Sequence, residues 1–201
     1  MDAAQRELSD QIDQATQRLL DAARTLPEAD LRGPSLLPGW TRAHVLAHLA
    51  RDADAIRNLL IGARSGQDRA AYASAHARDA DIGQAAAMSA RDLMTDVADS
   101  SMALRTIARR LPVQAWQVRV RVLGSAPFPA AGLLTRRLVE VELHHCDLAA
   151  GYGPADWAAA FCWALCSISA AQASALAYAG RSWPDRAPIS RPRIASAPRA
   201  R

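Results

Sequence analysis

Long stretches of this sequence place apolar residues at the spacing of an α-helix, and this period most limits the folds open to the chain. One such stripe comprises Val45, Leu49, Ile56 and Leu60. Apolar residues recurring at three- and four-residue intervals lie on one face of a helix, which needs a partner surface. The period predicts helices at about 4–25, 41–63, 81–111, 130–150 and 155–180. Long helices with mostly short connections indicate an all-α fold, a four-helix bundle.

The helical period is interrupted in three places. Residues 26–40 hold three prolines and two glycines and are predicted to form a loop, after which Thr41 is the expected N-cap. Residues 64–80 are polar and are predicted to be irregular. Residues 116–122, WQVRVRV, alternate apolar and polar side chains, which predicts a short extended segment.

Charge divides the chain into two parts. Residues 181–201 contain six arginines and one aspartate, so without them the formal net charge changes from +4 to −1. They also contain several prolines and no apolar period, which predicts a disordered Arg/Pro-rich tail after one helical domain at 1–180. Because the basic charge belongs to the tail, we expect no nucleic-acid partner for the folded part.

The cysteines and the N-terminus favour a cytoplasmic protein. Three cysteines without framework spacing are typical of a reducing compartment, and Cys162 and Cys166 share a helix face that predicts core packing. The first residues contain no apolar signal segment. Residues 157–180 carry no charge but consist mostly of alanine, serine and glutamine, which insert poorly into lipid, so we expect no membrane partner.

A cluster of acids and imidazoles interrupts the apolar pattern in the sequence RRLVEVELHHCDLAAGYG. Glu140, His144 and Asp147 share a helix face that borders the apolar one. A carboxylate and an imidazole four residues apart can bind one metal ion if another element supplies a further ligand. His48 faces the bundle more directly than His44, which we expect to face solvent. Together, His48, Glu140 and His144 match catalytic zinc sites and also non-haem iron sites.

The same residues have simpler interpretations. Glu140 can pair with Arg136 or Arg137 in an ordinary surface interaction, since these lie four and three residues before it. His144 and His145 can form a solvated helix face. The spacing alone leaves the metal site and these alternatives open.

Two segments carry a family resemblance. LLPGWTRAHVLAHLARDADAIRNLL, followed far downstream by RRLVEVELHHCDLAAGYGPADW, resembles the mycothiol-dependent maleylpyruvate isomerase family. The N-terminal domain of that family belongs to the DinB-like superfamily of metal-binding four-helix bundles. The resemblance covers about residues 8–165 and is strongest at 35–60 and 130–157. It implies an all-α, DinB-like bundle, which agrees with the helical bundle that the period indicates.

The resemblance also implies a site. Its motif positions make His48, Glu140 and His144 the ligands of a divalent metal, usually zinc. Asp147 occupies a position that would orient a ligand. Arg78 matches an arginine near the family's active site, where a guanidinium could hold a substrate carboxylate. The implied cofactors are Zn²⁺ and mycothiol, and the implied partners are this small-molecule thiol and an electrophilic substrate.

The resemblance implies an isomerase or thiol transferase, with one departure. Family members usually carry a second α/β domain, whereas here the resemblance fades after about Trp163, so we expect a truncated or naturally short member of reduced activity. One alternative is a non-catalytic metal-binding bundle that acts as a binding or regulatory protein. Another is a membrane-attached or nucleic-acid-associated protein acting through residues 157–201. The sequence predicts no oligomeric state.

Overall fold

Six α-helices and one two-stranded ladder make up the part of the chain that the structure describes. The structure is a computed structural model, and it describes residues 1–159, 161–162 and 165. The helices are α1 (Ala3–Arg24), α2 (Glu28–Leu31), α3 (Arg42–Ser65), α4 (Ala75–Ala86), α5 (Ala90–Arg109) and α6 (Gly132–Asp147). The strands are β1 (Arg119–Val120) and β2 (Phe128–Pro129), and 3₁₀ turns lie at Val113–Gln117 and Pro154–Asp156.

Four of the helices form the bundle that the sequence predicts. Helices α1, α5, α3 and α6 pack in a ring in that order, and α4 lies against α3. The centre is filled by buried leucines, alanines and valines from all four helices, including Leu19, Leu46, Leu104 and Leu134. The fold is therefore the all-α helical bundle that the period predicts and that the resemblance also implies.

Helix α3, which carries His48, has a capping residue at each end. The hydroxyl of Thr41 accepts a hydrogen bond from the backbone N–H of His44, which confirms the predicted N-cap. The helix ends at Ser65 and is capped by Gly66, whose φ of 71° lies in the left-handed region that glycine adopts readily.

The helix predicted at 81–111 is wrong in its extent. The structure has two helices there, because Ser89 caps a new start by accepting a hydrogen bond from the N–H of Asp92 at 3.2 Å. The first of the two begins at Ala75, with Ser74 as its cap, so residues 75–80 are helical rather than irregular. A polar segment forms a helix here because serine caps satisfy the exposed N–H groups at each start.

The alternating segment at 116–122 is extended for only part of its length. Trp116 lies in a 3₁₀ turn, and only Arg119 and Val120 pair with a partner strand. Val118, which the alternation placed on the buried side, is 39% exposed, whereas Val120 and Val122 are buried. The extended segment is therefore shorter than the alternation predicts.

The last described residues follow the end of α6. This helix ends at Asp147, three residues earlier than predicted, and Gly151 then adopts a φ of 86°. Of the predicted fifth helix, residues 160, 163–164 and 166–180 lie outside the described part, as do Cys166 and the predicted tail at 181–201. Among the described residues, no helix is both long and apolar enough to cross a membrane.

Candidate metal centre

Helices α3 and α6 bring three predicted ligands to one point inside the bundle. The potential ligand atoms of His48, Glu140 and His144 all lie within 4.8 Å of one another. The Oε2 atom of Glu140 is 3.3 Å from Nε2 of His48 and 3.2 Å from Nε2 of His144. The three residues are only 3%, 6% and 7% exposed. The alternative interpretation, in which His144 lies on a solvated helix face, is therefore wrong.

The local sequence explains how the three side chains converge. Glu140 and His144 are four residues apart on α6, so one helical turn stacks them on the same face. His48 lies in the second turn of α3, where its neighbours Val45 and Leu49 are fully buried against the bundle. The apolar stripe of α3 thus turns His48 inward.

The carboxylate of Glu140 has a different partner on each oxygen. Its Oε1 atom accepts a hydrogen bond from Nη2 of Arg136 at 3.0 Å, while Oε2 faces the two imidazoles. The pairing with Arg136 that the sequence offered as an alternative does form, but inside the protein rather than on its surface. Arg137 points elsewhere and bonds to Asp52 at 3.0 Å.

Asp147 fixes the orientation of His144. Its Oδ2 atom lies 2.9 Å from Nδ1 of His144, and the aspartate is fully buried. With Nδ1 engaged by a carboxylate, Nε2 is the nitrogen left facing Glu140 and His48. This is the arrangement in which metal-binding histidines are usually held.

The residues of the cluster shift one another's pKa values. Burial raises the pKa of Glu140, but hydrogen bonds from His144 and His48 and the charge of Arg136 outweigh it and hold this pKa well below its usual range. Burial alone would lower the pKa of His144, yet hydrogen bonds to Asp147 and Glu140 raise it to about 9. Burial lowers the pKa of His48. These contacts therefore favour the protonated form of His144 and the ionised form of Glu140.

Arg78 reaches the edge of the cluster from α4. Its Nη2 atom is 3.3 Å from Nδ1 of His48, and Nη1 bonds to Asp79 at 2.7 Å. The guanidinium also lies over the ring of Tyr72, 5.9 Å from its centroid. The resemblance placed Arg78 near the site, and the structure brings it there.

The other two histidines near the site stay outside the cluster. His44 is half-buried, and its Nδ1 lies 2.7 Å from the hydroxyl of Thr41, so the expected solvent-facing side chain instead supports the helix start. His145 is buried and stacks on Tyr152 at 3.8 Å between ring centroids. The solvated position that the sequence left open for His145 is wrong.

Sequence reasoning missed one neighbour of the centre and the burial of another. Trp40 packs edge-on against His48 with 5.6 Å between ring centroids, although its loop gave no periodic signal. Arg136 was visible at four residues before Glu140, but helical spacing does not reveal that the pair is buried.

The fold and the donor set together define a DinB-like helical bundle with a candidate metal centre. The family model of the mycothiol maleylpyruvate isomerase N-terminal domain matches residues 12–149. The chain belongs to this family.

Solved structures agree with the family match. The crystal structure of the mycothiol-dependent maleylpyruvate isomerase is similar, with a TM-score of 0.76 and 27% identity over 80% of this chain and 67% of that one. A histidine-to-alanine variant of that isomerase matches with the same values. Comparison with curated protein sequences finds no significant match.

Proposed function

We propose that this chain is a divalent-metal-dependent enzyme that uses mycothiol as a thiol cofactor, either as an isomerase or as a thiol transferase. The observation that carries the proposal is the convergence of His48, Glu140 and His144 within 4.8 Å inside a chain of this family. The similar crystal structure is that of a mycothiol-dependent maleylpyruvate isomerase, which supports the choice of thiol and substrate class.

The donor set fits a zinc ion. Two imidazole nitrogens and one carboxylate are a frequent ligand set of catalytic zinc, and they leave a position for a further ligand. The Nδ1 contact between His144 and Asp147 leaves Nε2 as the donor that faces the other two ligands. Because zinc binds neutral imidazole, the proton that His144 holds would have to leave when the ion enters.

Each residue then has a distinct task. A divalent metal held here would keep a thiol as its thiolate at neutral pH, which makes the sulfur nucleophilic. His48, Glu140 and His144 would hold the ion, and Asp147 would orient His144. Arg78, which lies at the edge of the cluster, would bind a substrate carboxylate through two parallel hydrogen bonds from its planar guanidinium.

The isomerase reaction needs no net loss or gain of atoms. The thiolate sulfur adds to one carbon of the cis double bond of maleylpyruvate, and the π electron pair moves into the conjugated carbonyl as an enolate. The resulting single bond rotates, the enolate pair then re-forms the double bond as trans, and the same thiolate leaves to give fumarylpyruvate. A transferase would instead keep the new carbon–sulfur bond and consume one thiol for each substrate molecule.

Three finer points remain predictions from the sequence. They are the cytoplasmic location, zinc as the resident ion, and weak isomerase activity. The match to the isomerase covers 67% of that chain, so the activity of the whole enzyme is carried over here only as a proposal.

A thiol-dependent assay tests the proposal. Zinc-loaded protein with mycothiol should consume maleylpyruvate, and recovery of free thiol separates an isomerase from a transferase. The matched variants are Glu140→Gln, which removes the ligand charge, and Glu142→Gln, which alters a buried acid of α6 bonded instead to Arg18 and Tyr152. Only the first should abolish turnover. Full metal loading without any thiol-dependent turnover would favour the non-catalytic metal-binding bundle.

A further inference from the structure

The two carboxylate oxygens of Glu140 contact different partners. Nη2 of Arg136 donates to Oε1 at 3.0 Å, while Oε2 lies 3.3 Å and 3.2 Å from Nε2 of His48 and His144. Only Oε2 therefore faces the point where the two imidazoles meet. The folded chain itself holds the Glu140 carboxylate in this orientation.

Burial protects the separate contacts of the two Glu140 oxygens from competition by water. The side chains of Arg136 and Glu140 are 8% and 7% exposed, so little water competes for either group. Both residues lie on α6, four residues apart, and the helix holds them in register. A charge-assisted hydrogen bond between such groups is short and strong.

We infer that Arg136 restricts Glu140 to binding the metal through Oε2 alone and thereby keeps one coordination position open. The inference rests on the proposed metal centre. A carboxylate with both oxygens free can occupy two positions on one ion, whereas one whose Oε1 is held by a guanidinium offers a single oxygen. Three protein donor atoms then leave the fourth tetrahedral position for a thiol. Arg136 acts through Glu140 and is a positioning residue.

Cobalt(II) substitution reports the coordination number without any substrate. Four-coordinate cobalt absorbs visible light much more strongly than five-coordinate cobalt, so the spectrum shows whether Oε1 has joined the ion. Arg136→Met removes the donor while filling most of its volume. Arg136→Lys keeps a positive charge that can reach a glutamate four residues on. Arg18→Met is the matched control, because Arg18 bonds to another buried glutamate of α6, Glu142, at 2.8 Å.

The wild-type chain, Arg18→Met and Arg136→Lys should give the intense four-coordinate spectrum. Arg136→Met should lose about half of that intensity or more, with one cobalt still bound per chain. A wild-type spectrum from a fully loaded, helical Arg136→Met protein would overturn the inference.

A second measurement does not depend on a variant that folds. In a crystal structure of the wild-type chain with zinc, Oε2 should bind the ion and Oε1 should remain on Arg136. Both oxygens of Glu140 bound to zinc would overturn the inference while leaving the metal centre intact. A wild-type chain that binds neither ion would instead remove the metal centre on which the inference rests.

Discussion

The Nδ1 atom of His144 lies 2.9 Å from Oδ2 of Asp147, a fully buried carboxylate at the end of α6. This contact determines which nitrogen of His144 faces Glu140 and His48. Carboxylates that hold a metal-binding histidine in this way raise its basicity and fix its ring.

Removing this carboxylate should weaken metal binding without removing a ligand. Asp147→Ala should lower zinc affinity by about 10- to 100-fold, as measured by competition with a chelator of known affinity. Glu142→Ala is the matched control, since it also removes a buried acid of α6 but one that faces Arg18 and Tyr152. Equal affinity in the Asp147 variant and the wild type would show that Asp147 does not orient a ligand.

Zinc binding should depend on pH because the contacts of His144 favour its protonated form, in which both ring nitrogens carry a proton and cannot bind a metal ion. Hydrogen bonds to Asp147 and Glu140, overcoming burial, raise the pKa of His144 from 6.5 to about 9. The protonated ring therefore stabilises the metal-free fold below pH 6.5, and this stabilisation is lost as pH rises through about 9.

Zinc must displace this proton, so its apparent affinity should rise by up to about tenfold per pH unit between about pH 7 and pH 9, then level off. Calorimetry in buffers of different ionisation enthalpy should record release of about one proton per zinc at pH 7. An affinity that stays flat over this range, with no proton released, would contradict the prediction.

Much of the candidate site could be predicted from the sequence, because helix geometry determines which residues share a face. The spacing of Glu140 and His144 places them on one face of any helix, and the apolar stripe of α3 turns His48 toward the same interior. The convergence of α3 and α6 was a consequence of bundle packing that the period already predicted. The family resemblance named the same three residues.

Other features depend on tertiary contacts that no local pattern encodes. The division of the oxygens of Glu140 requires Arg136 to be buried, whereas its spacing fits a surface pair equally well. The break between α4 and α5 depends on Ser89 acting as a cap, although a serine is also tolerated inside a helix. The alternation at 116–122 suggested a longer strand than a two-residue partner supports.

Arg78 offers a test of substrate recognition that is separate from metal binding. Arg78→Lys keeps the charge but loses the planar fork, so KM for maleylpyruvate should rise by about tenfold or more while metal content stays unchanged. Arg64→Lys, an exposed arginine at the far end of α3, is the control. Wild-type kinetics in the Arg78 variant would remove this residue from the substrate site.

The division into a domain at 1–180 and a tail at 181–201 remains a prediction from the sequence. All proposed ligands precede residue 148, and residues 182–201 lack an apolar period that could pack on the bundle. A chain that ends at Arg181 should therefore keep its zinc stoichiometry, and its Tm should change by less than about 2 °C. A large fall in either quantity would show that the tail contributes to the fold or the site.

The most direct test of the account is the metal content of purified protein, measured by elemental analysis after dialysis against zinc. The wild-type chain should hold about one zinc ion, the number that a single three-ligand site accepts. His48→Ala should hold none, whereas His44→Ala, which changes a histidine on the same helix that contacts Thr41 rather than Glu140, should still hold one. Equal loss of zinc in the two variants, or a wild-type chain without zinc, would contradict the proposed centre.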